Sequence, residues 1–306
     1  MTLISNDTAQ TERMESSSAA SIAKARLPSS SSSQAGMGPQ AMRSAVNQAT
    51  TKTANMATRI AKTFTSHAIT AFITALFSTM ASASCPADTL GTSRTLTLPR
   101  AAAAYGTVQH PPLPLQPGEV LLTFDDGPRA ESTPLVLQAL AQHCVLATFF
   151  MNGEPLLQQP ALAKQVAAAG HTVGMHGFQH PHFGELPEAA QLADLSAMQA
   201  AWRQVFGGQP AAYRFPFLEE TPALRAALKA QAITVMSVDA GADDWLPDQT
   251  PAMLTERLLA QLRPKGSGII LLHDAQDQTA RALPTMLAAL KAQGLRVVHL
   301  RWADAP

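Results

Sequence analysis

The stretch Leu121–Pro128 reads LLTFDDGP, an apolar run that ends in two adjacent carboxylates, Asp125 and Asp126, followed by Gly-Pro. Neighbouring carboxylates repel, and burying them unpaired is costly. A turn accounts for the letters, because Asp, Gly and Pro are common turn formers. A cation held by one carboxylate, with the other left free as a base, accounts for them as well. A second cluster, HGFQH (His176–His180), sets two imidazoles four residues apart, close enough to meet on one side of a helical turn or tight loop. Gly177 stands where the zinc-protease motif carries its general-base Glu, which excludes that chemistry. Two histidines and one carboxylate still form a three-ligand set for Zn²⁺ that leaves a position open for water. HxxxH alone is more often two unrelated histidines than a metal site; beside the paired aspartates it gains weight.

The elements that must position these groups alternate. EVLLTF (119–124) precedes TPLVLQALAQH, where Thr133 is a candidate cap and Pro134 suits the first turn. VLATFF (145–150) precedes PALAKQVAAAG, which stops at Gly170 as helices often do. TVGMH precedes the long LPEAAQLADLSAMQAAWRQVFGG, and AAYRF precedes TPALRAALKA. ITVMSVD (233–239), GIILLHD (268–274) and LRVVHL (295–300) complete seven strand candidates separated by helices. Such alternation predicts a parallel α/β architecture, either a barrel or an open doubly wound sheet. Strands that are apolar without alternation fit a sheet covered on both faces. Residues 84–117, with TSRTLTLP and the Pro-rich HPPLPLQPG, read as a lead-in to a domain over 118–306 rather than a domain of their own.

Position then separates the two readings of the aspartates. Asp125 and Asp126 follow the first strand candidate, His176 the third, Arg214 the fourth, Asp239 the fifth, and His273-Asp274 the sixth. All lie at C-terminal strand ends, the edge where parallel α/β folds gather ligand and catalytic groups. Scattered surface polar residues would not converge in this way, so a turn alone does not suffice.

Composition narrows the class further. The 306 residues carry zero formal net charge with 14% charged residues, which leaves no basic stripe suited to nucleic acid. Two cysteines, Cys85 and Cys144, are too few for a Cys-rich zinc module, so any metal site is built from His, Asp or Glu. Residues 1–55 are rich in Ser, Ala, Thr and Gln and read as disordered. From Met56 the chain has a basic start (Arg59, Lys62), a short apolar core (Ala68 to Met80) and a small-residue Ala81-Ser82-Ala83 site. This is the plan of a secretory signal peptide over 56–83, too short and too polar for a stable membrane span. A signal peptide behind an extra segment suggests that Met56 is the true start and 1–55 an over-extended reading frame; the alternative is a real, disordered extension. Export predicts a periplasmic or secreted protein. In an oxidising compartment two otherwise unpaired cysteines are most simply one bridge, Cys85–Cys144, with two separate buried thiols as the alternative. Such a bridge is worth about 4 kcal/mol on the chain-entropy model.

TFDDGP, HxxxH followed by Pro, RFPF, D…DW and LLHD, in this order, resemble the five motifs of the polysaccharide deacetylase family (the NodB-homology, carbohydrate esterase family 4 group), from about Val120 to Leu300. The resemblance implies a distorted (β/α) barrel of about seven parallel strands. It implies a divalent cation on Asp126, His176 and His180, Zn²⁺ foremost, with Co²⁺, Mn²⁺ or Ni²⁺ able to use the same donors. Asp125 is then the general base toward a water that attacks an N-acetyl carbonyl, and Arg214 orients it. His273 protonates the leaving amine, with Asp239 as its carboxylate partner and Asp243 and Asp244 as rivals. The backbone N–H of Phe217 meets the oxyanion, and Trp245 and Leu271 wall the pocket for the acetyl methyl. Two departures stand out: Gly177 replaces a usual Ser or Thr, and Phe217-Leu218 replaces a usual Tyr-Gly. The implied partner is an N-acetylated glycan such as chitin oligomers, peptidoglycan or poly-N-acetylglucosamine. A non-glycan amide is the same-fold alternative, and a glycan-binding module without turnover is the rival from another class. The sequence is silent on oligomeric state.

Overall fold

Period-two strands and amphipathic helices must bury their apolar faces against one another, and here they do so around a single sheet. The computed structural model describes residues 85–303 apart from residue 87; the predicted extension 1–55 and the predicted signal peptide lie outside the described residues. In chain order the strands are β1 (Thr92–Leu98), β2 (Ala104–Tyr105), β3 (Glu119–Asp125), β4 (Thr148–Asn152), β5 (Thr172–Gly177), β6 (Ala212–Tyr213), β7 (Thr234–Met236), β8 (Ala240–Gly241), β9 (Gly268–His273) and β10 (Arg296–Trp302). The helices are α1 (Thr133–Gln142), α2 (Gly153–Gln158), α3 (Pro160–Ala168), α4 (Glu188–Phe206), α5 (Pro222–Ala230), α6 (Pro251–Leu262) and α7 (Asp277–Ala292).

All strand pairings are parallel. The order runs β8-β9-β3-β4-β5-β6-β7-β2, with β10 and β1 branching from the start of β3. Near its two ends the sheet carries β7 and β8, which only residues 237–239 separate in the chain, so it curls into a distorted, incompletely hydrogen-bonded barrel. Each of the seven predicted strands is present. β1 is a strand that the lead-in reading did not anticipate. Its TSRTLTL sequence alternates part-buried with exposed side chains beside β10, unlike the continuous apolar runs.

Alternation along the strands sorts the core into two layers. Leu122 and Phe124 of β3, Phe149 of β4, Tyr213 of β6 and Leu272 of β9 pack outward into the large cluster that includes Val136, Leu140 and Leu283 from the helices. Leu121, Phe150, Ala212, Met236 and Ile269 point inward and fill the barrel with a smaller cluster. By the same period, Thr123 and Asp125 of β3, His176 of β5, and Leu271 and His273 of β9 face the interior in successive layers. The chemistry thus sits on the inward face at the C-terminal rim.

Two of the helices begin on a side-chain cap. Thr221 and Thr250 cap α5 and α6 by accepting the N–H groups of Leu224 and Met253. Thr133, the expected cap of α1, instead lies inside that helix, with Ser132 at the cap position. The Thr133 hydroxyl accepts the Arg129 N–H and donates to Asp274, so it ties the loop after β3 to the end of β9. Cys85 and Cys144 form a disulfide, which fastens the lead-in to the end of α1.

Candidate active site

The end of β3 delivers the two aspartates in different directions. Asp125, still extended, points into the barrel and is almost fully buried. Asp126 turns out of the strand with φ 78° and faces a partly open rim. One left-handed residue therefore lets adjacent carboxylates occupy separate environments, answering the repulsion that the DD pair raises.

Asp125 is held by Arg214, the largest of the fully buried side chains. The Arg214 Nη1 donates to Asp125 Oδ1 at 2.8 Å and to Thr123 Oγ1 at 2.7 Å. Its Nε and Nη2 donate to the carbonyls of Met236 and Ser237, and its guanidinium lies 4.3 Å above the Phe150 ring centre. With all these donors placed, the guanidinium is fixed in orientation and fixes the carboxylate. Burial raises the Asp125 carboxyl above its ordinary value, and the positive charge of Arg214 is the main influence in the other direction.

Asp126, His176 and His180 offer one donor atom each, all within 4.8 Å of one another. Asp126 Oδ1 lies 3.5 Å from His176 Nε2 and 3.2 Å from His180 Nε2. The Nδ1 of His176 bonds the Arg214 carbonyl at 2.8 Å, which fixes a tautomer with Nε2 unprotonated and turned to the triad. Burial holds the His176 imidazole down at about 3, so it is neutral, as a metal ligand must be. Two imidazoles and one carboxylate on a partly open rim fit a divalent cation of the Zn²⁺ kind.

His180 comes from a tight loop rather than a helix, with φ 57°. The Asp194 carboxylate of α4 accepts the N–H groups of Phe178 and Gln179 and so braces that loop. Gly177 has φ 118°, and a Cβ there would sit 3.0 Å from the Pro216 ring, so this backbone favours glycine over the Ser or Thr expected from the resemblance. Asn152 Nδ2 donates to Asp126 Oδ1 at 3.2 Å, a contact that sequence reasoning missed.

Across the rim, His273 Nε2 lies 4.0 Å from Asp126 Oδ2. Its carboxylate partner is Asp244, not the expected Asp239. Asp244 Oδ1 lies 2.7 Å from His273 Nδ1, and its Oδ2 accepts the His273 backbone N–H and the Thr279 hydroxyl. The register explains the correction: Ala240 pairs with Ile270, so Asp239 is level with Ile269, four residues below His273. At a strand rise of about 3.3 Å per residue that is roughly 13 Å too deep. Asp239 accepts instead from Thr107 and from the Ile269 N–H. Burial opposes charging of His273, but the Asp244 hydrogen bond and the Asp244, Asp125 and Asp126 carboxylates outweigh it and raise the imidazole to about 9. The adjacent Asp274 is buried and pushed up to about 7, and it accepts from the Gly127 N–H and the Thr133 hydroxyl.

The remaining expected residues line this centre. Trp245 is half-exposed with its ring edge-on to His273 at 5.5 Å. Leu271 lies one inward layer below His273, partly buried. Phe217 is half-exposed, edge-on to His180 at 4.4 Å and stacked on His182 at 3.8 Å. Phe217 and Leu218 both have left-handed backbones, φ 53° and 58°, where a side chain is strained.

A carboxylate and two imidazoles placed to hold a cation, with a buried carboxylate and a charged imidazole beside them, define a barrel protein with a hydrolytic type of centre. The chain belongs to the polysaccharide deacetylase family. Residues 114–236 match the family model described as Polysaccharide deacetylase. The chain is 30% identical to a chitin deacetylase of Colletotrichum lindemuthianum over 244 residues, 75% of this chain and 97% of that one. It is 33% identical to a peptidoglycan-N-acetylglucosamine deacetylase of Listeria monocytogenes over 181 residues, 59% of this chain, and spans only 38% of that longer protein. Among solved structures it is similar to a peptidoglycan deacetylase of Bdellovibrio bacteriovorus, with TM-score 0.60, 32% identity, and 69% and 59% of the two chains covered.

Proposed function

We propose that the protein is an exported, metal-dependent hydrolase that removes N-acetyl groups from the N-acetylated sugars of a glycan. The observation that carries this reading is that a buried carboxylate and a charged imidazole, Asp125 and His273, are register partners on β3 and β9 and both adjoin the Asp126–His176–His180 triad, 3.7 Å from His176 Nε2 and 4.0 Å from Asp126 Oδ2 respectively. A module that only binds sugar needs neither a buried base nor a charged acid. Asp126, His176 and His180 would hold a divalent cation, which would supply Lewis acidity for the hydrolysis.

The chain's own residues do the rest. Asp125, oriented by Arg214, accepts a proton from the attacking water through its Oδ2, the oxygen that Arg214 does not bond. Its raised value brings it nearer the operating pH, as suits a base. His273, kept protonated by Asp244, donates from Nε2 to the leaving amine. The Phe217 N–H meets the acyl oxygen as negative charge grows there. Trp245 and Leu271 line the acetyl methyl pocket. The signal-peptide plan of residues 56–83 and the Cys85–Cys144 bridge support the export reading.

The test is acetate release, read by mass spectrometry, from a panel of N-acetylated oligosaccharides with acetylated xylan as the ester control. The protein is stripped by chelator and reloaded with Zn²⁺, Co²⁺, Mn²⁺ or Ni²⁺. Metal-dependent release from an N-acetylated substrate is expected. Release from none, with metal bound and the fold intact, would favour the binding-module reading.

A further inference from the structure

Asp239 is free of the role expected for it because it anchors something else. The lead-in between β2 and β3 folds into a hook: the Gly106 N–H donates to Pro111 O, and the Gln109 and His110 N–H groups return to Gly106 O. The hook is seated on the end of β7. Asp239 Oδ1 accepts the Thr107 N–H at 2.7 Å and the Thr107 hydroxyl, and the Val108 N–H donates to Val238 O. Only glycine permits this approach, since a Cβ on Gly106 (φ 115°) would lie 2.4 Å from the Ser237 carbonyl carbon.

The tip of the hook reaches the strained loop. Gln109 Nε2 donates to Leu218 O at 2.7 Å, while Gln109 Oε1 accepts the Ser237 hydroxyl at 2.9 Å. His110 Nε2 lies 2.5 Å from Glu220 Oε1, and Arg225 Nη1 lies 3.0 Å from Glu220 Oε2. From the other side His182 stacks on Phe217 and bonds Glu219 Oε1 at 2.8 Å. Between these holds lie two consecutive left-handed residues, Phe217 and Leu218. Phe217 is in the first turn of a 3₁₀ segment (Pro216–Leu218), where an N–H has no partner within the turn. The hook precedes residues 114–236, the span matched by the family model.

We infer that Gln109, at the tip of the lead-in hook, is a positioning residue that keeps the Phe217–Leu218 loop left-handed and the Phe217 N–H turned toward the acyl group. This rests on the deacetylase reading of the site. Glycine tolerates positive φ without a brace, so a glycine at position 218 would make the hook dispensable. Here leucine occupies the position, and the hook supplies the restraint.

The experiment uses the full chain, N-acetylglucosamine oligomers as probe, and Gln109→Ala, Gln109→Glu and Gln109→Ala/Leu218→Gly. Gln109→Glu keeps an acceptor for Ser237 but cannot donate to Leu218 O. Gln109 is exposed, so both single variants keep the fold, which a melting curve checks. Losing one hydrogen bond to the loop predicts a kcat lower by roughly three- to tenfold, with KM within about twofold. Hydrogen exchange of the peptide over 215–220 rises in both single variants. In the double variant kcat returns toward the wild-type value. A loss confined to KM, an unchanged kcat, or no recovery in the double variant overturns the inference. If the wild type releases no acetate, the deacetylase reading fails, and exchange alone then judges the brace: equal exchange with and without Gln109 overturns it.

Discussion

Asp244→Asn separates the Asp244–His273 pair from the Asp239 alternative in one substitution. Asp244 is fully buried, and both its oxygens accept, from His273 Nδ1 and N–H and from Thr279. Asparagine keeps the volume but loses the charge, and its amide places an NH2 donor where one of the two accepting oxygens stood. One buried donor facing another costs about 1–3 kcal/mol of stability. The larger effect is on His273. Asp244 is the main influence that raises the imidazole to about 9 against burial, so its loss brings His273 to or below the ordinary value near 6.5. The sign follows: the acid form now disappears at lower pH, and the alkaline limb of the activity profile moves acidward by about 2.5 units or more. At about pH 7.5 the protonated fraction falls from nearly all to about a tenth, a loss of roughly tenfold that deepens as pH rises. The assay is kcat against pH for acetate release, with the His273 ring titrated by NMR. Asp239→Asn should loosen Thr107 and leave the limb in place. An unmoved limb in Asp244→Asn, or a moved one in Asp239→Asn, would refute the assignment.

Arg214→Met leaves the buried Asp125 without its counter-charge and should cost about 3–5 kcal/mol in chemical denaturation. The penalty should shrink by at least about 1 kcal/mol in an Asp125→Asn background; equal penalties would mean the pair is not coupled. Replacing Cys85 and Cys144 by Ser opens a 59-residue separation and should lower stability by about 4 kcal/mol, with a change below about 1 kcal/mol contradicting the bridge. His171 is held down to about 4 by burial, and its Nδ1 accepts the Ala147 N–H, so it stays neutral when folded. Between about pH 6.5 and 4 the unfolded chain binds the extra proton, so stability falls as pH falls, by up to about 3 kcal/mol. His171→Gln should flatten that slope, and an identical slope would locate the acid sensitivity elsewhere.

The seven main strands were legible because buried parallel strands are continuous apolar runs, and their C-terminal ends announced the chemistry. β1 was not, since TSRTLTL alternates and resembles a polar linker until β10 lies beside it. The triad, Asp125, Arg214 and His273 were legible as motif letters. The letters point to Asp239 rather than Asp244 because sequence distance does not reveal that the two lie at opposite ends of the short strand β8. The shift of one motif letter along the strand could have been found from Asp244-Trp245 itself, the DW pair that ends the motif. Asn152, Asp194 and Gln109 act from other elements, and only long-range geometry brings them to the rim.

The central claim is that Asp125 and the triad divide the labour of base and metal ligation. Its most direct test is Asp125→Asn, with bound metal counted by mass spectrometry and acetate release measured on the same preparation. The account predicts full metal content with acetate release reduced to a trace. Undiminished release, or loss of metal along with activity, would contradict the division of roles between Asp125 and Asp126.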